Sequence, residues 1–174
     1  MESNGNSGGG RETHMTEAAR RIGNLELQRA TVADLPLIAA MEQDADTREL
    51  IIPYAWDVHV RKLADPGFVY LRVLEGGRVV GFMILVLDAD GTSVELRRVV
   101  ISPKGRGVGQ SAIPLVERYC REQLGRTRIW LDVFAQNHRA FHVYAKHAYR
   151  VFAERTHGDR LLLLLEKRLS GPRG

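Results

Sequence analysis

A mixed α/β (α+β) fold, with helices flanking one mostly antiparallel sheet of about seven strands, is predicted by three features of the chain. Strand-like runs separated by Gly-Gly and Asp-Gly turns follow one another between Phe68 and Ile101, the pattern of a hairpin meander. A glycine-rich stretch, Ser102 to Gln110, then stands between the last of those runs and an amphipathic helical pattern. Beyond it, a further strand–helix pair and a closing hairpin give the order β-α-α-β-β-β-α-β-α-β-β.

Taken in order, residues 1–24 are rich in Gly, Ser, Asn and charge without a hydrophobic period and read as a disordered leader. Leu25 to Arg29 alternates as a strand. Thr31 and Asp34 have capping-box spacing, and Leu35, Ile38, Ala39 and Glu42 supply the helical period that follows. From Asp44 to Pro66 the pattern is poorer, with a short helix expected at Val58 to Leu63. The meander comprises Phe68–Leu74, Val79–Leu87 and Ser93–Ile101. After the glycine stretch, Val108, Ala112, Leu115, Val116 and Tyr119 keep one helical face apolar. Pro114 lies inside that pattern and removes a hydrogen bond or kinks the helix. Thr127 to Phe134 reads as a strand apolar on both faces, as at the centre of a covered sheet. Asn137, Ala140, Phe141, Tyr144 and Ala148 share one side of the next helix. Tyr149 to Ala153, a His157–Gly158–Asp159 turn and Arg160 to Lys167 close the chain, and residues 170–174 read as a frayed tail.

With 174 residues, 44% of them hydrophobic, the chain suits one domain, residues 25–169, with a sizeable core. The formal charge of +4 is mild, and basic residues are interleaved with acids, so no nucleic-acid partner is expected. No run is long enough for a membrane span and no signal peptide is evident, so no membrane partner and a cytoplasmic location are expected. Cys120, the single cysteine, falls on the apolar face of its helix and reads as a buried, inert thiol. His138 and His142 stand four residues apart, but the Glu of H-E-x-x-H and a third ligand are missing, so no metal is expected.

The glycine stretch admits three readings. A P-loop requires Gly-Lys-Ser/Thr, whereas Gln110 and Ser111 follow Gly109. Gly107, Gly109 and Ala112 match a dinucleotide fingerprint, with Asp132 where a ribose-binding acid would stand, but the remaining βαβ units are missing. The third reading is a pyrophosphate loop of the acyl-CoA type, in which backbone N–H groups converge on phosphate at a helix N-terminus.

The glycine loop after the meander, together with Asn137-x-x-Ala140-x-x-x-Tyr144 after the following strand, resembles the GNAT superfamily of acyl-CoA-dependent N-acyltransferases over residues 25 to 168. In that family the two strands flanking the loop and its helix splay apart, and the thioester arm of acetyl-CoA lies in the gap. The resemblance implies that backbone groups of Val99, Val100 and Ile101 pair with pantetheine. It further implies that N–H groups from Gly105 to Gln110, with Arg106, Gly107, Val108 and Gly109 between them, hold the pyrophosphate. Lys104 stands where the family has Arg or Gln and still supplies positive charge. Asn137 is implied at the pantetheine or as a helix cap, and Tyr144 as the acid that protonates the leaving thiolate.

An attacking amine must be deprotonated, so a base is also required. Glu95 is the first candidate, on the strand before the loop; Arg97 shares its face, and a structural ion pair is the competing role. Asp132 is the rival carboxylate, read as a surface acid. Ala148 replaces the glycine that the family has before its aromatic, here Tyr149, and suits a backbone with negative φ. The expected activity is acetyl transfer from acetyl-CoA, the only cofactor implied, to a primary amine such as a peptide N-terminus, lysine or small molecule. The resemblance implies that the region after the first strand and the final hairpin form the acceptor side, with Asp44, Asp46, Glu49, Tyr54 and Trp56 the first residues expected there. A homodimer is the assembly the family suggests, although no residue pattern specifies one. A non-catalytic acyl-CoA sensor and a nicotinamide oxidoreductase are the alternatives.

Overall fold

The computed structural model describes residues 21–170; the expected leader up to residue 20 and the tail from 171 lie outside them. The described elements are β1 (Arg21–Ile22), β2 (Leu25–Arg29), a 3-10 turn (Val32–Asp34), α1 (Leu35–Gln43), α2 (Ala45–Arg48), α3 (Trp56–Ala64), β3 (Phe68–Glu75), β4 (Arg78–Leu87) and β5 (Ser93–Ile101). They continue with α4 (Val108–Glu122), β6 (Arg128–Phe134), α5 (His138–Lys146), β7 (Arg150–His157) and β8 (Arg160–Arg168). The strands form one sheet in the order β1-β2-β3-β4-β5-β6-β8-β7. Every pairing is antiparallel except β5 with β6. Part of the expected leader is thus ordered: β1 pairs with β2 through Arg21↔Glu26 and Ile22↔Leu25, and two residues are too few to show a period.

The sheet is covered on both faces. On one, α4 buries Val108, Ala112, Leu115, Val116, Tyr119 and Cys120 against Leu27, Leu71, Met83, Leu85, Ile129 and Leu131. On the other, Leu35 and Ile38 of α1 pack with Tyr70, Phe82, Ile84 and Val100. Burial pushes the Cys120 thiol well above its ordinary pKa, which leaves it inert at neutral pH. The Thr31 amide donates to Asp34 Oδ2 at 2.7 Å, so the capping spacing starts the α1 segment through its 3-10 turn. Helix α4 runs through Pro114 without a break, with the Gln110 carbonyl left without its ordinary donor.

Candidate active site

The site originates in an irregularity of β5. Its parallel ladder with β6 holds only Ser93↔Arg128, Val94↔Ile129 and Glu95↔Trp130. On its other edge Leu96 faces Leu85 and Arg98 faces Ile84, so Arg97 is an extra, bulged residue. A bulge bends its strand and raises the local twist. Beyond it β5 and β6 separate, and a cleft of about 760 Å³ opens between them.

The cleft collects all the cofactor positions expected from the sequence: Val99, Val100 and Ile101 on β5, Lys104 to Gln110 in the loop, and Asn137 and Tyr144 at α5. Gly105 (φ 89°) and Gly107 (φ 76°) adopt left-handed backbone, and Gly107 caps α4, so these two glycines shape the loop that leads into the helix N-terminus. Arg106 ties the loop to the end of β3 through Glu75 at 3.0 Å. Asn137 accepts from the Ala140 amide at 3.1 Å and so caps α5. Tyr144 contacts Tyr149 edge-to-face, with 5.4 Å between ring centroids, and burial pushes its phenol up to about 12.

The carboxylates are arranged differently from expectation. Glu95 is buried, held by Arg97 through Nε (2.6 Å) and Nη2 (2.5 Å), and the cleft lining on β5 begins only at Leu96. It stands at the last paired position, where the strands have not yet parted. Asp132, read as a surface acid, instead lines the cleft and is paired with Arg155 of β7. Alternation explains this: Ile129, Leu131 and Val133 point into the core, so Asp132 points to the opposite face, which is open once β5 has departed.

The expected acceptor residues also need correction. Thr47, Leu50, Ile51 and Ile52 line the cleft, whereas Asp44, Asp46, Glu49, Tyr54 and Trp56 do not. Asp44 caps α2 by accepting from the Asp46 amide at 3.1 Å. Tyr54 lies beneath Arg98, with the guanidinium 4.2 Å from its ring centre.

Sequence reasoning missed a buried polar cluster behind that wall. Glu42 pairs with Arg98, contacts His59 Nε2 at 3.1 Å and accepts from the Tyr54 amide at 2.8 Å. His59 Nδ1 contacts the Tyr70 hydroxyl at 3.1 Å, and Arg98 donates to the Ile52 carbonyl at 2.8 Å. Burial alone would raise the Glu42 pKa, but hydrogen bonds from His59, Arg98 and the Tyr54 amide, together with the Arg98 charge, bring it below its ordinary value. The cluster fastens the segment from Ile52 to Tyr54 to β5; its only sequence signal was Glu42 in the apolar period of α1.

Ala148 departs from expectation as well, with φ 65°. It ends α5 in a left-handed turn in which the Tyr149 amide donates to the Tyr144 carbonyl at 3.1 Å. The buried Tyr149 ring anchors that turn.

A splayed β5–β6 pair, a glycine loop at a helix N-terminus and a tyrosine on the next helix are the arrangement that the resemblance to the acyl-CoA-dependent acyltransferases implies. The Acetyltransferase (GNAT) family matches residues 29–149, and the chain belongs to that family, the acetyl-CoA-dependent N-acetyltransferases. Among solved structures it is similar to spermidine N-acetyltransferase from Vibrio cholerae in complex with CoA and spermine (18% identity, TM-score 0.74, covering 84% of this chain and 96% of that one). It is also similar to the Campylobacter jejuni N-acetyltransferase PseH (19%, TM-score 0.64, 85% and 100%). No curated protein matches.

Proposed function

We propose that this protein transfers an acetyl group from acetyl-CoA to a primary amine by direct attack within a ternary complex. The observation that carries the reading is that one cleft, opened by the Arg97 bulge, is shared by the loop, the β5 edge, Asn137 and Tyr144. The free backbone of Val99, Val100 and Ile101 pairs with the pantetheine arm, and the amides of Gly105 to Gln110, with the Lys104 charge, hold the pyrophosphate. The amine nitrogen attacks the thioester carbon, the new C–N bond forms and the C–S bond breaks. The amine's proton passes to Asp132, directly or through water, and then to solvent; the thiolate takes the proton of Tyr144, which solvent then restores. A phenol pushed up to about 12 stays protonated throughout the neutral range, as a donor to a thiolate must. Asp132 replaces Glu95 as the base in this reading because it lines the cleft while Glu95 lies behind Arg97.

The test is thiol release from acetyl-CoA against a panel of amines, with wild type beside Tyr144→Phe after both are shown to bind CoA. Amine-dependent release that falls at least roughly tenfold in the variant is expected. CoA binding without release on any amine would support the sensor alternative, and failure to bind CoA would refute the reading.

A further inference from the structure

The acceptor half of the cleft is a zwitterionic chamber. Asp132 is the only carboxylate lining the cleft among the described residues, and it is paired with Arg155. The register explains the meeting: Asp132 and Ala153 both lie opposite Leu164, and Arg155 lies opposite Leu162. Arg155 and His157, two residues apart on β7, therefore share the face of the sheet on which Asp132 stands.

Of the other arginines lining the cleft, Arg97, Arg98 and Arg106 are committed, Arg106 to Glu75 at 3.0 Å, while Arg139 is exposed at the start of α5. Arg97 gives Nε and Nη2 to Glu95, and Arg98 is held by Glu42 and the Ile52 carbonyl. Among the described residues Arg155 gives only Nη2 to Asp132, with its other guanidinium donors turned to no described partner beside His157. Leu50, Ile51 and Ile52 add apolar surface, as does Phe134, whose ring carries the Arg160 guanidinium 3.4 Å from its centre. A polyamine, with several separated positive charges, would meet one carboxylate already paired and several guanidinium groups. A molecule with an ammonium and a carboxylate a few bonds apart would find a partner for each.

On the basis of the acetyltransferase reading, we infer that the acceptor is an α-amino acid with a free carboxylate. Its amine sits at Asp132 and is the attacking nitrogen. Its carboxylate sits on Arg155 beside His157, and its side chain lies against Ile52 and Phe134. Arg155 is then the residue that selects for the carboxylate, since a site built to bind a charged group rejects the analogue lacking it.

The experiment measures kcat/KM by thiol release for a set of α-amino acids, their carboxamides and spermidine, with CoA affinity determined in parallel. The expected result is that the best amino acid exceeds both its own carboxamide and spermidine by about tenfold or more. In Arg155→Gln that ratio collapses toward one while CoA affinity holds, and Arg155→Lys restores part of it. Release with amines but no preference for the carboxylate overturns this inference alone, as does a preference that survives in Arg155→Gln. Binding of CoA with release on no amine overturns the acetyltransferase reading and this inference with it.

Discussion

Gly81 occupies the middle of the sheet, opposite Val73 of β3 and Ile101 of β5. A methyl group there would land on the Val100 carbonyl oxygen, 2.6 Å from Ile101 Cδ1 and 3.1 Å from Ile101 Cα. The Ile101 side chain can swing aside, but the carbonyl belongs to a paired strand, so in Gly81→Ala β5 must retreat by about 1 Å to reach ordinary contact distance. Overpacking of this kind costs about 1–3 kcal/mol, and each kcal/mol corresponds to a fall of about 2–4 °C in Tm for a chain of this size. The retreating residues are also those proposed to pair with pantetheine, and a misplacement of about 1 Å at such a site can lower activity by up to roughly a hundredfold. Thermal unfolding and CoA titration of the same variant test both consequences. A Gly81→Ala protein with wild-type Tm and wild-type CoA affinity would show that β5 is not held against β4 as described.

Ala148→Gly removes the penalty of a left-handed alanine, about 1–2 kcal/mol, less the extra chain entropy of glycine; a net gain of about 0.5–1 kcal/mol is expected, read as a raised denaturant midpoint at unchanged slope. Glu95→Gln is expected to lose about 1–3 kcal/mol of stability through its bond to Arg97, with little change in kcat. Asp132→Asn is expected to lower kcat by about a hundredfold or more; the opposite ranking would return the base to Glu95. Because the folded-state pKa of Glu42 is depressed, its contribution to stability is complete above the ordinary value of 4.5 and is lost as pH falls below it. As pH falls below 4.5 the unfolding free energy should therefore drop less steeply in Glu42→Gln, which starts less stable because Arg98 loses its charged partner.

The order of elements was legible in the chain because local physics writes it there. Gly-Gly and Asp-Gly turns marked the meander, the apolar period marked α4, and the two glycines of the loop are needed for its left-handed backbone. The cleft wall proposed to hold the cofactor was legible for the same reason: it comes from one loop, one strand edge and one helix, each carrying its own short pattern. The proposed acceptor half was expected at the segment after the first strand and at the final hairpin, but its individual side chains were not legible. Asp132 and Arg155 are far apart in the chain, and they meet only because β8 pairs with both β6 and β7. Which carboxylate faces the cleft depends on the Arg97 bulge, a one-residue change of register that leaves no local signal. Glu42, Arg98 and His59 likewise read as separate polar residues until α1, α3 and β5 bury them together. Turn chemistry and hydrophobic period determined the elements of this acetyltransferase; the side chains gathered at the proposed acceptor end were decided by strand pairing, which acts between residues distant in sequence.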